Sequence, residues 1–246
     1  MSSAARSTAA SALASHGAGP VRPTRFRAWP LWAVLAGVAG AVGTMFTDLR
    51  PDAELEAVAR ESFYTVTPAD MEGLDPTMAR FGFAAGVVAV VALLVFQAAW
   101  RRNVETVFTR STAARVASGG MIATAGAAML GYGWRGGLAT YLGPEGFNYD
   151  EQGKFVYYML NDFGAWMPWF GIVAVAGALG WMAWVERSVS RVLGTFSAIV
   201  AVGLLGAVIV SGVPGLPGGV MPMWLAIAGV WLAVGRSRIT QADDVR

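Results

Sequence analysis

Uncharged apolar runs alternate with short charged segments along almost the whole chain, and the lengths of those runs predict its elements. Residues 28–47 carry no charge over 20 positions. A helix of that length, rising about 1.5 Å per residue, crosses the ~30 Å hydrocarbon core of a bilayer. The runs 81–100, 116–134 and 163–185 follow with 20, 19 and 23 uncharged residues, and the last, 192–235, has 44. As one helix that last run would measure roughly 66 Å, more than twice the hydrocarbon thickness, so it must fold back. The reversal is marked by Val213-Pro214-Gly215-Leu216-Pro217-Gly218-Gly219, where prolines remove donors and glycines free the backbone.

Asp75-Pro76 reads as an N-cap followed by a first-turn proline, which starts the second span before its apolar run. Six spans are therefore expected, at 28–47, 76–100, 116–134, 163–185, 192–211 and 216–234. The predicted fold class is all-α: a polytopic six-helix transmembrane bundle with short amphipathic helices on its outer face. Residues 1–27 are expected to form a disordered cytoplasmic tail and residues 236–246 a second cytoplasmic tail. Composition agrees. Hydrophobic residues make up 55% of the chain and charged ones 14%, against about 25% charged in soluble domains.

Sorting charges by the resulting loops fixes an orientation. Thirteen of the 18 basic residues fall on the side of the two tails, the loop 101–115 and the loop 186–191, and five fall opposite. The positive-inside rule then places both termini in the cytoplasm of a cell with this protein in its inner membrane, which requires an even number of spans. Twelve of the 16 acidic residues fall on the outer side, for a balance there of −7. The basic residues flank apolar runs rather than forming a continuous patch, so nucleic acid is not an expected partner. The lipid bilayer is, together with other membrane proteins.

Inside a bilayer, helices associate through close backbone approach and interhelical hydrogen bonds, which small residues at four-residue spacing permit. Ala36, Gly40 and Thr44, then Gly82 and Gly86, then Gly119, Ala123, Ala127 and Gly131, form such stripes, Ala176 with Gly180 thins the fourth span, and Gly203 with Gly206 thins the fifth. Packing within one bundle accounts for them. Pro168 is expected to free a carbonyl near Gly164 and to bend or open the fourth span.

Chemistry is excluded more readily than it is found. With no cysteine there is no disulfide, thiol nucleophile, iron–sulfur cluster or Cys-ligated zinc, and the one histidine, His16, lies in a Ser/Ala/Gly-rich stretch. No phosphate-binding loop, dinucleotide loop opening after a strand, HExxH or GxSxG occurs, and no cofactor is implied. Asp70, Glu72 and Asp75 form a loose acidic group that reads as a solvated loop, because a calcium loop needs more oxygen ligands.

The candidate polar site is at the outer face: Asn161, Asp162, Arg135 and Arg80. If a helix runs unbroken from Glu151, Asp162 is drawn below the headgroups and needs a cation, with Arg135 first and Arg80 second by depth. The alternative, which is preferred, makes Asn161 or Asp162 the N-cap of the fourth span.

Three functions fit. The first is a structural, partner-binding or accessory membrane component without catalytic apparatus. The second is a small transporter or permease subunit with a polar outer mouth. The third is a membrane-embedded enzyme acting on a lipid or isoprenoid through carboxylates such as Asp162 or Glu61. No particular small-molecule or lipid substrate is assigned.

Overall fold

The computed structural model describes residues 27–235 and 237–241, so the expectations for residues 1–26, for His16, and for 236 and 242–246 lie outside the described residues. Among those described, every regular element is helical: α1 (Leu31–Ala41), α2 (Asp52–Ala59), α3 (Pro76–Trp100), α4 (Thr112–Tyr141), α5 (Glu151–Trp166), α6 (Phe170–Trp184), α7 (Arg191–Ser211), α8 (Leu216–Val234) and α9 (Arg238–Gln241). Five continuous helices, Pro76–Glu105, Thr112–Tyr141, Glu151–Trp184, Arg191–Ser211 and Leu216–Val234, are long and apolar enough to cross a membrane. The apolar helix Leu31–Phe46 is shorter, about 24 Å long at the usual rise.

Local chemistry sets the helix starts. Asp75 accepts from the Thr77 amide at 2.7 Å, Ser111 from Ala114 at 2.9 Å, Asp150 from Gly153 at 2.8 Å and Ser190 from Leu193 at 3.3 Å. Each short polar side chain satisfies an amide that has no partner within its own helix. α7 ends on Gly212 at φ 70°, a left-handed terminator that suits glycine.

The long helices are antiparallel neighbours. α1 packs between α3 and α8, α4 against α3, α5 and α6, and α7 mainly against α6. The helix ends sort into two groups. At one end the Arg27 amide donates to the Ala233 carbonyl, Ser111 Oγ to Glu186, the Ser190 amide to Ser237 and the Ile239 amide to the Ser188 carbonyl. At the other, here the acidic end, the segment 48–74 lies over α4 and α5, with Leu49, Met71, Leu74, Leu138 and Tyr158 in a small core of its own.

Two features differ from the sequence expectations. The stretch before the fourth span, Glu151–Asp162, is not one of the separate short amphipathic helices expected on the outer face. It is the first half of a continuous helix, Glu151–Trp184, interrupted by a 3-10 turn at Met167–Trp169. Pro168 lacks the amide that would bond Gly164, and the loosened carbonyl lies against Gly131 of α4: a Cβ at 131 would meet the Gly164 oxygen at 1.7 Å. The α4 stripe is also rotated. Gly119, Ala123 and Ala127 are exposed, and the packed positions are Gly120, Thr124 and Gly131. Gly203 and Gly206 likewise meet nothing within 4 Å, whereas Gly180 faces Ala198.

On the acidic-end loop, Asp70 accepts from Tyr64 Oη at 2.6 Å and from the Thr67 amide and hydroxyl at 2.7 and 2.9 Å. These bonds, that from Tyr64 foremost, hold the Asp70 carboxyl below its ordinary value, and the same contact raises the Tyr64 phenol. α2 is eight residues long and leaves Leu55 and Val58 exposed.

Two outcomes are expected. Gly131→Ala lowers stability by about 2–3 kcal/mol in a detergent melt, because backbone rather than a flexible side chain must move. Gly119→Ala instead is neutral or stabilises by up to about 1 kcal/mol. Second, because the Asp70 pKa is depressed, its contribution is present above the ordinary carboxylate pKa and is lost as pH falls through the folded value. Hydrogen exchange at the Thr67 amide should therefore accelerate, beyond its intrinsic pH dependence, only below about pH 4.

Candidate functional site

The polar site is assembled around one cation that the helices enclose completely. Arg135 lies within α4, six residues before its end, and its side chain is 0% exposed. Such a group needs hydrogen-bond and charge partners, because an unpaired charge inside apolar surroundings costs several kcal/mol. Its Nε donates to Asn161 Oδ1 of α5 at 2.6 Å, and Nη1 to the Gly43 carbonyl and, at 3.0 Å, to Thr47 Oγ1. Nη2 faces Asp48 Oδ1 at 3.7 Å, an ion pair longer than a hydrogen bond.

The end of the first helix is shaped for this. Leu31–Ala41 widens into a π-helical turn, Val42–Phe46, in which the Thr47 amide and hydroxyl both bond the Val42 carbonyl, while the Gly43 carbonyl goes to Arg135. α3 makes room with two glycines. A Cβ at Gly82 would meet Thr47 Oγ1 at 2.5 Å and Arg135 Nη1 at 2.7 Å, and one at Gly86 would meet the Tyr132 ring at 2.2 Å. The Gly82/Gly86 pair thus accepts two side chains of α4, one turn apart, and also lies against the backbone of Gly43, where a Cβ would meet Gly86 N at 3.0 Å and the Gly82 oxygen at 3.1 Å.

Below Arg135 a second buried set ties the same elements together. Thr44 Oγ1 and Tyr132 Oη are 2.8 Å apart, Trp169 Nε1 donates to Thr44 Oγ1 at 3.2 Å, and Thr44 lies 3.2 Å from the Ala165 carbonyl. Trp169 comes from the 3-10 turn at Pro168, so the interruption of the long helix sets the indole against α1.

Above Arg135, Arg50 gathers three carboxylates. Its Nε bonds Asp48 at 2.9 Å, Nη1 bonds Glu54 at 3.2 Å and Nη2 bonds Asp162 at 2.5 Å, with side-chain exposures of 18–28%. Tyr158 Oη adds a bond to Glu54 at 3.2 Å. Burial by itself would lower the Arg50 pKa, but Asp48 and Asp162 reverse this and raise it above the ordinary arginine value. A guanidinium is not deprotonated inside proteins, so both side chains carry charge.

The candidate residues of the sequence are therefore placed unequally. Asn161, Asp162 and Arg135 come together, but Arg135 bonds Asn161 and the partner of Asp162 is Arg50. The preferred reading as helix caps is corrected: both residues are interior to α5, whose N-cap is Asp150. Arg80 is exposed and lies beside Gly143, outside this network. Glu61 is exposed after the end of α2. Sequence reasoning missed Arg50, Asp48, Thr47 and the Gly43 carbonyl. The only available sign was that Asp48 and Arg50 directly follow the first apolar run.

Beside the Arg50–Asp162 pair a groove of about 420 Å³ runs between α5 and the turn joining α7 to α8. A second, apolar groove of about 480 Å³ lies between α4 and the interrupted helix. Among the described residues, no group of three or more His, Asp or Glu side chains could hold a metal ion. Comparison with protein-family models, with curated proteins and with solved structures found no match.

Arg135→Met leaves Asn161 Oδ1 and the Gly43 carbonyl without this donor, removes the charge facing Asp48 Oδ1, and should cost about 3–5 kcal/mol in a detergent melt. Asp162→Asn should cost no more than about 1 kcal/mol, since Arg50 keeps two other carboxylates at a part-exposed site. Arg80→Ala should fall within about 0.5 kcal/mol of the parent.

Proposed function

We propose that the chain is a six-span inner-membrane protein with both termini in the cytoplasm and the acidic end outside. In this reading it works as a structural or partner-binding component rather than as a catalyst. The observation that carries the functional part is the fate of Arg135. Its guanidinium binds the end of the first helix, the loop after it and α5, so the one fully buried charge among the described residues joins chain segments instead of lining a passage. The ordinary reading of an intramembrane charge is function. Here its hydrogen-bond partners belong to the chain itself.

The topology draws on two observations. The segments that are rich in arginine by sequence are those hydrogen-bonded at one end of the bundle, and the Arg27 amide meets Ala233 there. The short first helix crosses with its flanking residues because Trp29 at one end and Arg50 at the other extend its span. Transport remains the second reading, favoured by the groove that opens beside Arg50 and Asp162. For the enzyme reading, its two carboxylates are far from equivalent: Asp162 is held by Arg50 and Glu61 is exposed.

The absence of native cysteine makes a labelling test direct. Glu61→Cys should react with a membrane-impermeant maleimide in intact cells, and Arg27→Cys, Thr109→Cys and Arg238→Cys only after permeabilisation. Labelling of Arg27→Cys and Glu61→Cys from the same side would remove the first crossing. For function, Asp162→Asn should restore a deletion strain as well as the parent does. Failure at normal membrane abundance would favour transport or catalysis.

A further inference from the structure

The charges around Arg50 do not balance. Asp48, Glu54 and Asp162 face two guanidiniums, Arg50 and the enclosed Arg135, which leaves the cluster one positive charge short. The imbalance sits next to a space. The groove between α5 and the α7–α8 turn is walled by Phe163, Trp166, Leu216 and Val220, and its charged lining residues are Arg50 and Asp162. At about 420 Å³ it falls within the range of small-ligand pockets, about 300–1,000 Å³. One side is apolar and runs along two helices, and the other is the Arg50–Asp162 pair, the edge of the cluster in which carboxylates are in excess.

From this complementarity we infer that the groove binds one phospholipid of the surrounding bilayer whose headgroup carries a primary ammonium beside its phosphate. The ammonium supplies the missing charge at Asp162. The phosphate takes the guanidinium hydrogens of Arg50 that its three carboxylates leave over, since five N–H groups are present and three are engaged. The first part of an acyl chain lies against Phe163, Trp166 and Val220. An anionic headgroup without an amine would add negative charge to a site already in excess of it, and is disfavoured for that reason. The inference rests on the proposal that these helices lie in a membrane.

The test is native mass spectrometry of the full-length chain in detergent, titrated with phosphatidylethanolamine, phosphatidylcholine and phosphatidylglycerol of identical acyl chains. Phosphatidylethanolamine should bind about tenfold more tightly than phosphatidylglycerol, or ~1.4 kcal/mol, with phosphatidylcholine between them. Asp162→Asn should narrow that preference. Gly219 lines the groove, and a Cβ there meets only Trp166 at 3.7 Å, so Gly219→Leu fills the space without disturbing the backbone and should abolish retention of the lipid. Equal binding of all three lipids by the parent chain, or undiminished binding by Gly219→Leu, overturns the inference while leaving the membrane reading intact. Release of the chain from membranes by alkaline carbonate would overturn both.

Discussion

A guanidinium enclosed among apolar helices is the constraint to which the rest of this fold answers. Arg135 cannot reach water, so α4 and its neighbours must bring oxygen to it. The π-helical turn at Val42–Phe46 turns the Gly43 carbonyl toward it, and Thr47 follows on the same turn. Asn161 comes from α5, and Asp48 from the loop above. Removing the side chain would take their donor from Asn161 Oδ1 and the Gly43 carbonyl, whereas most surface charges on this protein can be lost with little effect.

Close approach makes that arrangement possible, and glycine makes the approach possible. Gly82 and Gly86 leave α3 open where Arg135 and Tyr132 pass, and Gly131 lets α4 reach the Gly164 carbonyl that Pro168 loosens. The same proline sets Trp169 against Thr44, so a helix interruption and a glycine stripe together build the polar centre of an otherwise apolar bundle. In a bilayer the hydrophobic effect does not draw helices together, and contacts of this kind take its place.

The helices were legible in the uncharged runs, and Pro168 was legible as the site of an opened carbonyl near Gly164. Register was not. Gly119 and Gly120 are adjacent, and four-residue spacing drawn from the first selects a face that the structure leaves exposed, while packing uses the second. Asp162 was legible as a carboxylate needing a cation, but its partner Arg50 is 112 residues away along the chain, and sequence depth alone points to the arginines of spans. The helix-cap reading failed because the chain continues as helix from Asp150 through Asn161, with Asp150 supplying the cap. A π-helical turn has no side-chain signature, so the Gly43 carbonyl could be found only in the folded chain.

The guanidinium of Arg135 binds backbone and side chains of this same chain, and a lateral groove opens beside Arg50. The most direct measurement is a double-mutant cycle between Arg135→Met and Asn161→Leu, read as unfolding free energy in detergent micelles. If Arg135 organises the bundle through its neighbours, the two losses couple by about 1–3 kcal/mol. Additive losses, with no coupling beyond about 0.5 kcal/mol, would contradict the account.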